Sequence, residues 1–196
     1  LSDEARAALE AAVRPPIRLI AIGADAKKIE AGNEVVLFRH EKAFYHPPGL
    51  VLRVKDTDPP DVIAKQVSLV NNYTVERVGL DLCLDGIAIQ NKSGNTADFI
   101  SCIKMIKSET SLPLVLMSHD PMAMDAALGR IASDRPLIYA ATRDNWNEMA
   151  QVALQHHCPL TIYEPQGLSE LAGLAEQVAK VGVEDIMLDP GALGFA

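Results

Sequence analysis

Leu50-Val51-Leu52-Arg53-Val54 is an almost unbroken aliphatic run, and Thr57-Asp58-Pro59-Pro60 follows it directly. An apolar run without alternation is how a strand buried on both faces reads. The Asp-Pro-Pro string reads as a helix start, because Asp58 can cap and a proline in the first turn loses no needed hydrogen bond. Val62, Ile63, Gln66, Val67 and Val70 then recur at helical spacing, giving that helix one buried stripe. Working outward, the same strand-then-helix phrase returns. Gly86 to Gln90 precedes Phe99, Ile100, Ile103 and Ile106, and Pro113 to Met117 precedes Met122, Ala126 and Leu128 to Ile131. Pro136 to Ala140 precedes a helix with Asn145 and Glu148 in capping-box spacing and Trp146, Met149, Val152 and Ala153 on its buried face. Leu160 to Tyr163 precedes Leu168, Leu171, Leu174, Val178 and Val181, stopped by Gly182, and Asp185 to Leu188 is a sixth strand.

Connections of this length join parallel strands. No GxGxxG turn follows any strand, and the spacing is regular, which favours a (β/α) barrel over an open doubly wound sheet. A closed barrel needs eight units and typically about 250 residues. The expected fold class is therefore α/β, of TIM-barrel type, incomplete at about six of eight strands over residues 49–196. Residues 1–48 are expected to form an N-terminal helix, ending at Pro15-Pro16, and a β-hairpin cap. That hairpin reads as Lys28 to Glu30 and Glu34 to Phe38 around an Ala31-Gly32-Asn33 turn.

The 196 residues carry a formal net charge of -8, which disfavours nucleic acid and anionic membrane as partners. No apolar run approaches the roughly 20 residues that cross a bilayer. The opening stretch lacks the apolar core of a signal peptide, and Leu1 in place of methionine reads as truncation or processing. Cys83, Cys102 and Cys158 are an odd, widely spaced set with no CxxC, which fits a reducing cytoplasm. Cys83 and Cys102 read as small core residues, as do Phe99, Trp146, Met117, Met122 and Met124 as core filling.

Barrel chemistry belongs to the C-terminal ends of the strands. The candidate ligand-facing rim is Asn91, His119, Asp120, Thr142 and Asp189, accompanied by Lys55, Asp56, Lys92, Ser118, Arg143 and Glu164. Such a ring could hold a polar heterocycle by hydrogen bonds. Local structure offers a second explanation for several members: Asp58 and Asp120 precede prolines at helix starts, and Asp189 before Pro190-Gly191 can initiate a turn. His119 has the intrinsic pKa of an acid/base group but no identifiable partner. His156-His157-Cys158 fits a helix C-terminus better than a zinc site, since no second ligand pair has the spacing of a zinc motif. No catalytic residue and no metal ligand is assigned.

Four stretches carry a family resemblance. They are Val35-Val36-Leu37-Phe38-Arg39-His40-Glu41-Lys42 with Phe44-Tyr45-His46-Pro47, the strand end before Asp58-Pro59-Pro60, Arg135-Pro136-Leu137-Ile138-Tyr139-Ala140-Ala141-Thr142, and Val183-Glu184-Asp185-Ile186-Met187-Leu188-Asp189-Pro190-Gly191. In order over nearly the whole chain, they resemble the large (gamma) subunit of the corrinoid iron-sulfur protein of acetyl-CoA decarbonylase/synthase. The resemblance implies a three-part subunit with a 4Fe-4S domain, a central TIM barrel and a corrinoid (cobalamin) domain. It implies a methyl carrier between a methyl pterin and acetyl-CoA synthase in the Wood-Ljungdahl pathway. The barrel would serve as scaffold and docking surface, and the implied partners are the small subunit, a methyltransferase and acetyl-CoA synthase. No four-cysteine cluster and no glycine-rich corrinoid segment occurs in the sequence, so neither cofactor is expected in this chain itself. The alternatives are a stand-alone methyl-pterin-binding barrel using Asn91, Asp120 and Asp189, and an interaction module of a corrinoid O-demethylase system.

Overall fold

A computed structural model describes residues 2, 17–24, 27–33 and 46–192. The expected N-terminal helix, the expected strand Glu34 to Phe38 and the Arg39-His40-Glu41-Lys42 stretch lie outside the described residues.

In chain order the elements are β1 (Ile20–Ile22), β2 (Ile29–Ala31), β3 (Val51–Lys55), α1 (Pro60–Asn72), β4 (Thr74–Arg77), β5 (Leu80–Cys83), β6 (Gly86–Gln90), α2 (Thr96–Glu109), β7 (Leu114–Met117), α3 (Pro121–Ile131), a 3-10 turn (Ala132–Asp134), β8 (Leu137–Ala141), α4 (Trp146–His156), β9 (Leu160–Tyr163), α5 (Leu168–Val181) and β10 (Ile186–Asp189). Strands β3, β6, β7, β8, β9 and β10 form one parallel sheet in that sequential order. The order never reverses, so the sheet has no switch point of the kind a doubly wound fold uses for ligands.

Strand alternation divides the sheet into two unlike faces. Ile87, Ile89, Leu114, Leu116, Ile138, Leu160 and Ile162 face the helices, joining Phe99, Ile103, Leu128, Met149 and Val178 in one large core. Ala88, Val115 and Leu137 face the other way, with Met117, Tyr139 and Met187 beside them. All five helices among the described residues therefore contribute to a core on a single face. This is an α/β fold with a mostly parallel six-stranded sheet, compatible with part of a barrel. Phe99, Leu116 and Leu128 are fully buried. Each such side chain stabilises the fold by about 1.5–3 kcal/mol through burial.

The first strand departs from expectation. Only Val54 of β3 is buried, and Val51 is 41% exposed. Among the described residues β3 pairs with β6 alone and buries only Val54, so the aliphatic run is an edge strand and is not covered on both faces. β10 is the opposite edge, and its Leu188 is likewise exposed.

At the N-terminal side β2 pairs antiparallel with β1, Ile22 opposite Ile29 and Ile20 opposite Ala31. At Gly32 (φ +95) a Cβ would lie 1.9 Å from the Arg18 carbonyl oxygen. Ile22 packs with Ala88, Val115 and Leu137, which places this hairpin against the face opposite the described helices, near the strands' N-terminal ends. Arg135 fastens it, donating from Nε to the Ala21 carbonyl (3.1 Å), from Nη1 to the His157 carbonyl (2.9 Å) and from Nη2 to Asp185. Asp185 also receives Arg18 Nε at 2.7 Å, so one carboxylate joins the N-terminal segment, the β8 entry and the β10 entry.

A second hairpin, unforeseen in the sequence, interrupts the connection from α1 to β6. β4 and β5 pair antiparallel around Val78 (φ 53) and Gly79 (φ 76), the two positive φ values of a type I′ turn. It carries Cys83, which is exposed and not the core residue anticipated. Met122 (81% exposed) and Leu168 likewise face solvent, each in the first turn of its helix.

Candidate functional site

The loops leaving the C-terminal ends of the strands are held by their own polar side chains. Asp56 follows β3 and accepts from Lys92 N (2.8 Å), Ser93 N (2.9 Å) and Ser93 Oγ (2.5 Å), locking the β6–α2 loop. Asp58 makes no helix cap, contrary to expectation. Pro59 holds the N-cap position, and Asp58 Oδ2 accepts from Lys55 N at 3.1 Å instead. Proline in the first turn needs no capped N–H, which leaves the aspartate free to close the preceding turn.

Three of the anticipated rim residues, with the His119 backbone, fall into two hydrogen-bonded ties. Asn91 Nδ2 donates to Ser118 Oγ (3.2 Å), and the Asp120 amide donates to the same hydroxyl (3.2 Å). Asp120 Oδ1 accepts from Met122 N at 2.9 Å, so the aspartate does cap α3. The other tie is Asn145, buried at 8% exposure. Its Oδ1 accepts from Thr142 N (2.6 Å) and Thr142 Oγ1 (3.1 Å), while its Nδ2 donates to the His119 carbonyl (2.8 Å). The capping box expected from Asn145 and Glu148 does not form, because the Asn145 side chain is spent between two loops. The His119 ring is exposed and unpaired among the described residues; only its backbone enters the tie.

Asp189 lies apart from this group. It ends β10 on the face opposite the described helices, accepts from Tyr139 Oη at 2.8 Å and from Gly191 N at 2.8 Å, and so makes the turn that Pro190-Gly191 suggested. Tyr139 comes from β8, two strands away, and its ring lies 6.2 Å from that of Tyr163. Burial first, then the Asp189 hydrogen bond and charge, push the Tyr139 hydroxyl well above the ordinary range. Thr161 stands in register between Tyr139 and Met187 with its hydroxyl buried and unpartnered among the described residues. Asn91 Oδ1 is also buried and unpartnered there.

Glu164, 3% exposed, closes the ring after β9. Its Oε1 accepts from Gln166 N (2.9 Å) and its Oε2 from Arg143 Nε. The Gln166 amide above all, then Arg143, hold its pKa below the ordinary carboxylate value. Tyr139, Asn145 and the Arg143–Glu164 pair are the side chains that sequence spacing did not single out as connected. Tyr139 alternates with Ile138 and Ala140 along β8, on the sheet face that carries Val115 and Leu137, which was the available signal.

Cys102 and Cys158 are buried, and burial pushes each thiol up to about 11. Among the described residues no group of three or more His, Cys, Asp or Glu side chains could hold a metal ion. His156 instead contacts Asp125 (2.8 Å) at the end of α4, and His157 (φ 54) forms that helix's left-handed C-cap. Among the described residues no helix is long and apolar enough to cross a membrane.

Comparison with known proteins places these observations. The chain is 38% identical over 192 residues to the corrinoid/iron-sulfur protein large subunit of Moorella thermoacetica, covering 98% of this chain and 43% of that protein. It is 35% identical over 191 residues to the acetyl-CoA decarbonylase/synthase complex subunit gamma of Methanothermobacter thermautotrophicus, covering 97% and 42%. The corresponding Methanopyrus kandleri subunit is 31% identical over 192 residues, covering 97% and 41%. The chain thus spans about two fifths of the length of these relatives. A family model described as the CO dehydrogenase/acetyl-CoA synthase delta subunit matches residues 19–195. With nine-tenths of its length matched, the chain belongs to the CO dehydrogenase/acetyl-CoA synthase delta subunit family, and its similarity to gamma and large subunits is the one its own sequence carries.

Proposed function

We propose that this chain is the central barrel region of a corrinoid iron-sulfur methyl carrier's large subunit, serving as scaffold and docking surface while a methyl group passes from a methyl pterin to acetyl-CoA synthase. The observation that carries this reading is the in-order similarity over 98% of the chain to a corrinoid/iron-sulfur large subunit. The rim is consistent with a scaffold: Asp56, Asp120, Asn145, Glu164 and Asp189 are all engaged in holding loops and turns. Among the described residues the outer edges of β3 and β10 are unpaired, and with the exposed Val51 and Leu188 they support a barrel completed by further strands between them. The corrinoid and the 4Fe-4S centre belong, on this proposal, to other segments of the full-length subunit, and the partners are the small subunit, a methyltransferase and acetyl-CoA synthase in the cytoplasm.

A second reading rests on one observation. The Asn91 Oδ1, buried and unpartnered among the described residues, would suit the N–H of a polar heterocycle, with Asp120 tied to the same Ser118 hydroxyl and Asp189 farther round the rim. The test uses the full-length subunit in its complex. If the barrel is scaffold, His119→Ala and Asp189→Asn leave the rate of cobalt methylation by methyl pterin and methyltransferase within about twofold, which is under 0.5 kcal/mol. Saturable methyl-pterin binding to the subunit alone, abolished by Asp189→Asn, would establish the second reading instead.

A further inference from the structure

β3 carries two cations on one face. Val54 is fully buried among the helix-facing core residues, and Leu52 packs against the same cluster. Side chains alternate along a strand, so Arg53 and Lys55 both project from the opposite face. Register extends that face across the sheet: Arg53 stands opposite Ala88, and Lys55 opposite Gln90, which is followed in the same row by Met117 and Tyr139. Val51, on this face too, lines a cavity of about 420 Å³ together with Val115, Leu137 and Met187. The two edge strands, β3 and β10, thus turn the same face toward one space.

Two positive charges so close on one strand face repel each other. A neighbouring carboxylate is the ordinary remedy, and the chain has 26 acidic residues against 18 lysines and arginines. Yet neither the Arg53 nor the Lys55 side chain has an ion pair or hydrogen bond among the described residues. The nearby acids are engaged elsewhere: Asp56 with Lys92 N and Ser93, Asp58 with the Lys55 amide, and Asp189 with Tyr139 and Gly191. Burial and Asp189 raise the Tyr139 hydroxyl pKa while Arg53 opposes them, so the field of this cation reaches across the face to β8. In the completed barrel proposed above, this face lines the interior. Cations enclosed there without a counter-charge are strongly disfavoured. Lys55, Gln90 and Met117 are the last residues of their strands, which puts the pair at the end where barrels bind ligands.

We propose that Arg53, Lys55 and Gln90 bind the oxyanion, carboxylate or phosphate, of a small molecule at the mouth of the barrel. The inference rests on the barrel completion proposed above and gives its interior a ligand class. The guanidinium fork matches two oxygens of such a group, the lysine adds a compact charge, and the Gln90 amide donates a further hydrogen bond.

The test uses the full-length subunit at low ionic strength, with inorganic phosphate and acetate titrated separately by calorimetry. One saturable site for at least one of them is expected, weakened at least about tenfold by Arg53→Gln and, independently, by Lys55→Gln. Without anion, neither variant should lower the melting temperature, since each removes a cation that has no counter-charge. No saturable site in the wild type, or a site unchanged in both variants, would overturn the assignment. A melting temperature lowered by both variants with no anion bound would give the counter-charge to carboxylates of the completing strands, and would overturn it as well. Barrel completion is read separately, from hydrogen exchange at the outer edges of β3 and β10. Protected amides there without an anion site would leave completion standing, whereas unprotected amides would overturn completion and with it the enclosed site.

Discussion

Tyr139 and Asp189 meet at 2.8 Å across an intervening strand, the phenol of β8 donating to the carboxylate that ends β10. The edge strand β10 is thereby joined to the central strand β8 on the face opposite the described helices, next to the buried Thr161 hydroxyl. Tyr139→Phe removes the donor and should cost about 1 kcal/mol in urea unfolding of the full-length protein. The tyrosine's raised pKa gives a sign as well. Its stabilisation is complete below the ordinary tyrosine pKa of 10.0 and is lost as pH rises through the higher folded value. The wild type should therefore lose stability above pH 10 more steeply than Tyr139→Phe, and parallel alkaline limbs would contradict the assignment.

Asn145 ties the β7–α3 loop to the β8–α4 loop through Thr142 and the His119 carbonyl. Asn145→Ala leaves a part-buried amide and a part-buried carbonyl without partners, an expected loss of about 1–2 kcal/mol. Hydrogen exchange at Thr142 N should speed up well before the helices open. Asn145→Asp keeps the acceptor but faces the His119 carbonyl with a second oxygen, so it should not rescue.

Glu164 contributes at the acid end. Its folded pKa lies below 4.5, so its stabilisation is present above that value and lost as pH falls through the folded one. Glu164→Gln should flatten the stability profile below about pH 4.5, the ordinary glutamate range. A profile unchanged by the substitution would show that Arg143 and Gln166 do not hold the charge.

The three thiols should separate cleanly. Cys83 is exposed, whereas burial holds Cys102 and Cys158 near 11. Iodoacetamide at pH 8 should alkylate Cys83 alone in the native protein, read by mass spectrometry, with the other two following only on unfolding. Rapid labelling of Cys102 would contradict the core packing of α2.

The repeating βα phrase was legible because helical and strand periodicities are strong signals when each element buries one stripe: Phe99, Ile103 and Ile106 fall where their spacing put them. The β3 run misled because aliphatic composition does not distinguish a covered strand from one at a sheet edge. The β4–β5 hairpin was missed because Val78-Gly79 lacks the Asn-Gly or Asp-Gly signal of its turn. Asp120 and Asp189 acted locally, as capping and turn chemistry allowed, while Asn145 was misread as a cap because the choice between backbone and tertiary partners is made by the neighbouring loop. The Tyr139–Asp189 bond depends on register between strands far apart in sequence, which no local pattern encodes.

The most direct test of the methyl-carrier reading is the cobalt of the full-length subunit, purified anaerobically and followed by visible absorbance while methyl pterin and methyltransferase are added. The account predicts a stoichiometric corrinoid that becomes methylated at a rate indifferent to His119→Ala and Asp189→Asn. A subunit free of corrinoid that binds methyl pterin saturably, and loses that binding with Asp189→Asn, would contradict it.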